Sequence, residues 1–228
     1  MMRPLVLALP SKGRLMEGTE TLFRRAGLGF SRAGASRGYR GILEGMGDVE
    51  VAWLPAGEIP DALLAGKIDA GVTGEDVLRE AAKGPDDPFE VLLRLGFGPA
   101  DVVVAVPECW FDVAGMADLD EVSVAWHARH GKRLRVATKY VTLTRKFFAA
   151  RGVTGYRIVE SLGATEGAPA SGSAEVIVDI TTTGSTLKAN ALKVLDDGLI
   201  LKSEAVLAVP AGGSGRAAAL AARLKRVL

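Results

Sequence analysis

The 228-residue chain has one cysteine, Cys109, so it can form no internal disulfide and no thiolate zinc cluster. It has two histidines, His127 and His130, and the basic stretch H-A-R-H-G-K-R around them offers no carboxylate or thiol to complete a metal site. No apolar run approaches the ~20 residues a membrane span needs. The five apolar residues Leu5 to Leu9 are too few for a signal-peptide core, so a cytoplasmic protein is expected. Charge of one sign is also lacking. Lys and Arg total 28 against 27 Asp and Glu, a net charge of +1 that gives no overall bias toward nucleic acid or an anionic membrane. There are no internal repeats.

What is present suits a globular α/β protein. Hydrophobic residues make up 48% of the chain, enough for a substantial core, and 228 residues allow one large domain or two small ones. Strands are expected at Leu5–Leu9, Val49–Leu54, Ile68–Val72, Leu134–Ala137, Tyr156–Val159 and Val176–Val178. Helices follow several of them: Leu15–Ala26, a short one after Glu58-Ile59-Pro60, one opening at Thr73-Gly74-Glu75-Asp76, and one carrying Leu143, Phe147 and Phe148. Strand and helix alternate as in a parallel sheet covered by helices. Two long apolar stretches, Leu92–Val106 and Leu199–Val209, read as strands crossing between two αβ blocks, and Gly212–Leu228 reads as a closing helix. The expected architecture is bilobed. Residues 1–95 plus 210–228 form one lobe and 96–209 the other, with a ligand cleft at the strand carboxyl ends.

The stretch Ala174–Leu195 concentrates the chemistry. A β-branched strand ends on Asp179. Thr181, Thr182, Thr183, Gly184, Ser185 and Thr186 follow, and Leu187, Ala191, Leu192 and Leu195 come at helical spacing. One reading is an ordinary strand–turn–helix with a capped helix. The other is a phosphate cradle, in which hydroxyls, backbone N–H groups and a helix dipole converge while Asp179 takes the hydroxyls of a sugar. No G-K-[S/T] follows the glycine, so it is not a Walker loop. Ser11-Lys12-Gly13-Arg14 is a second candidate anion site, with a solvated turn as the plain alternative. Arg32, Arg37 and Arg40 lie in a polar, glycine-rich stretch that suits either a phosphate clamp or a surface loop.

Several of these stretches, taken in order, resemble one family. They are Leu7 to Leu15 (L-A-L-P-S-K-G-R-L), Glu58-Ile59-Pro60, Asp69 to Leu78 (D-A-G-V-T-G-E-D-V-L), Arg135 to Tyr140 (R-V-A-T-K-Y), Glu166-Gly167-Ala168-Pro169 and Asp179 to Asn190. The pattern resembles ATP phosphoribosyltransferase, the enzyme that begins histidine biosynthesis, and covers nearly the whole chain. The resemblance implies a fold like type II periplasmic binding proteins. It implies transfer of the 5-phosphoribosyl group of phosphoribosyl pyrophosphate to N1 of ATP, with Mg²⁺ held by the substrate. It also implies the short form of the enzyme, working with a regulatory subunit that resembles histidyl-tRNA synthetase in a hetero-octamer. Asp179, Thr182, Thr183, Gly184, Ser185 and Thr186 match the phosphoribosyl loop. Lys12, Gly13 and Arg14 match the ATP and pyrophosphate contacts. Arg14, Arg37 and Glu166 match residues assigned to catalysis, with Arg40 a rival for the place of Arg37. The sequence departs from the family pattern at Pro55, where many relatives have arginine, and at Glu58, where aspartate is usual. The competing class is a non-catalytic binding protein of the same fold.

Overall fold

In the computed structural model, residues 3–32, 39–84, 86–213 and 215–228 are described, with the side chain of Arg32 excepted. The chain forms two compact units, Met1–Pro99 with Glu204–Leu228, and Ala100–Ser203.

Unit 1 is built on a seven-stranded mixed sheet. Its strands are β1 (Leu5–Pro10), β2 (Gly29–Arg32), β3 (Arg40–Glu44), β4 (Val49–Leu54), β5 (Ala70–Gly74), β6 (Phe89–Arg94) and β12 (Ala205–Pro210), in the order β2-β3-β4-β1-β5-β12-β6. The centre, β4-β1-β5, is parallel, and the remaining pairings are antiparallel. The parallel pattern expected from the βα alternation forms at the centre of the sheet, and antiparallel strands flank it on both sides.

Both faces of this sheet are covered, which is why β1 and β12 read as nearly unbroken apolar runs. Leu5, Leu7, Leu9, Leu207 and Val209 pack on one side, and Ala8, Val206 and Ala208 on the other. The first side is closed by α1 (Gly13–Arg25) and α7 (Gly215–Lys225), the second by α2 (Ile59–Leu64) and α3 (Glu75–Ala81). On α1, Thr19, Leu22 and Phe23 fall on one face at helical spacing and are buried. The helix stops where Gly27 takes φ 68° and the Leu28 N–H donates to the Phe23 carbonyl, 2.9 Å. Ala217, Leu220 and Leu224 of α7 are buried in the core of the same unit.

Unit 2 has a five-stranded sheet of β7 (Asp101–Pro107), β8 (Leu134–Thr138), β9 (Tyr156–Glu160), β10 (Val176–Thr181) and β11 (Leu192–Leu201), ordered β11-β7-β10-β8-β9. Here β10, β8 and β9 run parallel, with β7 and β11 antiparallel beside them. Its helices are α4 (Met116–His130), α5 (Val141–Ala150) and α6 (Ser185–Ala189).

Four local expectations need correction. Leu92–Val106 and Leu199–Val209 are not continuous crossing strands. The first breaks at Leu95–Ala100, where Gly96 and Gly98 have positive φ, and the second at Lys202–Glu204. Each half then joins the sheet of its own unit. The helix after Thr186 ends at Ala189, so Leu192 and Leu195 lie on β11. Asn190 closes that helix through Nδ2 to the Thr186 carbonyl, and Ala191, at φ 52°, turns the chain back. Leu192 precedes and Leu195 falls within an irregularity in β11, whose register against β7 shifts between Val194 and Leu199. Part of the stretch 31–47 is a strand, β3, paired with both β2 and β4. Finally, His127 and His130, in a stretch whose sequence reads as a basic turn, lie on the last turn of α4.

Candidate functional site

The parallel core of unit 2 fixes one group of the candidate residues. In parallel strands the carboxyl ends emerge together, so the segments after β8, β9 and β10 share one edge of the sheet. Val178 pairs with Thr138, which makes Asp179 and Lys139 the next residues on neighbouring strands. The buried Thr138 Oγ1 accepts the Tyr140 N–H at 2.9 Å. Lys139, between them, is exposed and its Nζ lies 3.7 Å from Asp179 Oδ1. The same carboxylate accepts the Ile180 N–H at 2.8 Å. Only 14% of the Asp179 side chain is exposed. Burial pushes its carboxyl above the ordinary 3.8, and the negative charge of Glu166 adds to the rise, while the Ile180 N–H and Lys139 oppose it. Glu166 itself sits in the 3-10 turn Thr165–Gly167 between β9 and β10.

Beyond β10 the chain makes a tight polar turn. Thr181 Oγ1 accepts the Gly184 N–H at 2.8 Å, and the Thr183 and Ser185 hydroxyls are 2.9 Å apart. Gly184 has φ 73° and ψ −3°, a conformation that disfavours any residue with a Cβ. The side chains of Thr182, Thr183, Ser185 and Thr186 are exposed. Buried Leu187 anchors the short helix against Val103, Ala105 and Ile177. Because α6 has only five residues, its dipole is a smaller part of the argument than the sequence suggested. What remains is a turn lined by hydroxyls, with the N–H groups of a helix's first turn at its rim and a carboxylate–ammonium pair at its base. Such a set has the chemistry a sugar phosphate calls for, with donors for a phosphate and an acceptor for ribose hydroxyls.

The second group lies in unit 1. The carboxyl ends of β1, β4 and β5 also share an edge, and the Ser11 N–H donates to the Leu54 carbonyl at 2.8 Å. Lys12 is extended at the head of α1, Gly13 takes φ 74°, and Arg14 stands in the first turn; all three side positions are exposed. Arg14 lines a cavity of about 380 Å³ with Arg25, Phe97 and Leu228. Arg37 lies outside the described residues. Its rival Arg40 is on β3, where Nη1 is 3.5 Å from Glu50 Oε2, so that guanidinium already has a carboxylate. Glu58 is exposed and lines a separate cavity of about 400 Å³ with Arg40, Asp61 and Lys67.

Two features were missed from the sequence. Lys139 stood inside a recognised motif without a role, and only the strand register reveals it as the partner of Asp179. Glu75 is buried at the start of α3, held by Arg79 at 3.0 Å and Arg94 at 2.7 Å. Acidic residues opening a helix were the available signal, but nothing local shows that Arg94 reaches back from β6. The two histidines do not join either group. His130 stacks on Trp126 with ring centroids 4.3 Å apart, and among the described residues no three His, Cys, Asp or Glu are grouped to hold a metal. No helix of the described residues is long and apolar enough to cross a membrane.

Comparison with known proteins converges on one family. The family profile for ATP phosphoribosyltransferase matches residues 55–226. An ATP phosphoribosyltransferase of Rhodopseudomonas palustris (strain BisA53) is 58% identical over 207 residues, covering 91% of this chain and 64% of that protein. The chain thus spans about two-thirds, 64%, of the length of the first curated relatives it matches. The enzyme of Rhizobium meliloti (strain 1021) is 57% identical over 204 residues, covering 89% of this chain and 88% of that one. Among solved structures, an ATP phosphoribosyl transferase (HisG:HisZ) complex from Thermotoga maritima superposes with a TM-score of 0.71 at 27% identity, covering 98% of both chains. A probable amino-acid ABC transporter extracellular-binding protein of Bacillus subtilis shares the fold, with a TM-score of 0.54 at 11% identity over 100% of this chain and 91% of that one. The expected likeness to periplasmic binding proteins is thereby borne out for the fold.

Proposed function

The chain belongs to the ATP phosphoribosyltransferase family, and on that premise we propose that it transfers the 5-phosphoribosyl group of phosphoribosyl pyrophosphate to N1 of ATP, releasing pyrophosphate, as the first step of histidine biosynthesis. The family match carries this reading, because it runs through both the Asp179 carboxylate and the hydroxyl turn that follows it. A solute-binding role is supported only by likeness of fold at low identity, which does not fix function.

The reaction needs little from protein nucleophiles. Adenine N1 carries a lone pair and no proton. It forms a bond to C1 of the ribose as the bond from C1 to the pyrophosphate oxygen breaks, and the electron pair leaves on pyrophosphate. The side chains therefore hold and neutralise. We assign Thr182, Thr183, Gly184, Ser185 and Thr186 to the 5-phosphate. Asp179 and Glu166 hold the ribose hydroxyls and face the positive charge that develops near C1. Lys139 keeps Asp179 oriented and ionised against its burial. Lys12, Gly13 and Arg14 are assigned to ATP and the departing pyrophosphate, and Arg37 to the same charge, on the family resemblance. Magnesium enters as part of the substrate, chelated by its pyrophosphate. A regulatory subunit like the HisZ of the Thermotoga complex is the proposed partner, in a hetero-octamer, and the cytoplasm the proposed location.

The test is adduct formation, followed by ultraviolet absorbance, from ATP, phosphoribosyl pyrophosphate and Mg²⁺, with pyrophosphatase present and the regulatory subunit added or withheld. Adduct in either condition upholds the reading. No adduct in both, together with no calorimetric binding of phosphoribosyl pyrophosphate, overturns it. Arg14→Ala should lower turnover by a factor of about 10–100, since one lost charge contact to a leaving group is worth roughly 2 kcal/mol. Turnover within threefold of wild type removes Arg14 from that role.

A further inference from the structure

At the opposite end of the unit 2 sheet, the amino ends of the parallel strands carry an unusual row of charge. Glu175, Arg135 and Arg157 lie side by side across β10, β8 and β9, with Arg135 directly paired to Arg157. Like charges facing each other on adjacent strands are destabilising. One carboxylate stands beside the two arginines, and it pairs with Arg135 alone. Glu175 is buried and wholly engaged by Arg135, accepting its backbone N–H at 2.8 Å and its guanidinium through Nε and Nη2. Arg157 is left exposed beside this pair.

The turn from α4 into β8 brings further cations to the same place. Gly131 caps α4 at φ 66° and Lys132 and Arg133 follow at once. Together with Trp126 and His130, whose rings form one wall, these residues enclose a cavity of about 270 Å³. Among the described residues, Lys132, Arg133 and Arg157 have no carboxylate within 4.0 Å. Four cations and one carboxylate leave this cavity with an excess of three positive charges, on a chain whose total is +1. A near-neutral protein does not gather such an excess in a concavity for solubility, which a dispersed surface would serve at lower electrostatic cost.

We propose that this cavity binds a di- or triphosphate group, free or carried on a nucleotide. The cationic excess and the fixed donor geometry of paired guanidinium groups suit a compact multivalent phosphate. The volume is below the usual ~300–1,000 Å³ of pockets for drug-sized ligands, so the phosphates enter and any attached nucleoside stays outside. The site goes beyond the transferase reading and does not depend on it. It lies at the end of the sheet away from Asp179 and the hydroxyl turn.

The experiment titrates the full-length ¹⁵N-labelled protein with inorganic pyrophosphate, and separately with ADP, following the Trp126 indole resonance assigned through Trp126→Phe. The expected result is a saturable shift at Trp126 that weakens at least tenfold in Lys132→Ala/Arg157→Ala and is unchanged in Ser185→Ala. Pyrophosphate as tight as ADP identifies the free anion, and tighter ADP a nucleotide-borne group; both uphold the site. A Trp126 resonance unmoved up to about 10 mM, or an equal affinity in the double variant, overturns it. Both substituted residues are exposed, and an unchanged amide spectrum of the double variant confirms that the comparison is between folded proteins.

Discussion

Glu175→Gln is the substitution whose consequence can be worked furthest. It removes the charge that faces Arg135 while keeping the shape and one acceptor oxygen. The Glu175 side chain is 9% exposed and that of Arg135 is 30% exposed. Breaking a fully buried ion pair costs ~3–5 kcal/mol, and partial exposure of Arg135 reduces this, so we expect a loss of about 2 kcal/mol at pH 7. For a chain of this size that corresponds to a fall in Tm of roughly 4–8 °C. The pH dependence gives an independent check. Burial alone raises the Glu175 carboxyl, but the side-chain bond from Arg135, its backbone N–H and its charge outweigh that, leaving it below the ordinary 4.5. A carboxylate with a depressed folded value contributes stability that is present above its unfolded value and is lost as pH falls through the folded one. The gap between wild type and Glu175→Gln should therefore be full at pH 7 and shrink as the pH drops below about 4.5. A second substitution tests the arrangement of charge. With Glu175 neutralised, Arg135 and Arg157 face each other uncompensated, so adding Arg157→Ala should restore about 0.5 kcal/mol. Thermal melts across pH read all three effects. A Glu175→Gln variant melting within a degree or so of wild type at pH 7, or one whose deficit is the same in acid, would refute the reasoning.

Other consequences follow from particular contacts. Asp179→Asn should abolish calorimetric binding of phosphoribosyl pyrophosphate without lowering Tm at pH 7. The folded carboxyl is raised above 3.8, so its ionisation works against the fold as pH rises, and the variant should gain relative to wild type between acid and neutral pH. A clear fall in Tm at pH 7 would contradict this. Gly184→Ala meets no atom within 4 Å but must hold φ 73°, so melts should show a loss of about 1 kcal/mol, with weaker phosphoribosyl pyrophosphate binding from a shifted turn. Unchanged binding would separate the turn from the phosphate. Leu220→Ala, at a fully buried position of α7, should cost ~2–5 kcal/mol in denaturant melts, and a loss under 1 kcal/mol would mean that the helix does not close the unit 1 core.

Much of this architecture was legible because its signals are local. Apolar runs such as Leu5–Leu9 and the 3.6-residue spacing of Leu15, Thr19 and Leu22 marked β1 and α1 within two residues. The Asp179–Thr186 segment stood out because so many hydroxylated residues follow one buried strand. What failed depended on partners distant in sequence. Leu192 and Leu195 have helical spacing, and only pairing with β7 makes them a strand. The roles of Lys139 and Arg94 arise from strand register and from a contact across 19 residues, neither of which leaves a trace in local periodicity. Arg37 falls outside the described residues, so the choice among the three arginines of that stretch rests on the pairing of Arg40 with Glu50 alone.

The chain leaves unit 1 at Pro99 and re-enters it at Glu204, and the ends of unit 2 are neighbours, with the Ala100 N–H donating to the Ser203 carbonyl at 2.9 Å. Unit 2 is thus an insertion with a closed base, and the order of synthesis matters. Strand β12, which lies between β5 and β6, and helix α7, which covers one face of the core, are made after all of unit 2. On the ribosome the inserted unit can complete its own sheet while the sheet of unit 1 still lacks an internal strand. Unit 1 is begun before unit 2 and completed after it, and until β12 arrives the facing edges of β5 and β6 are unpaired, open to pairing with another chain.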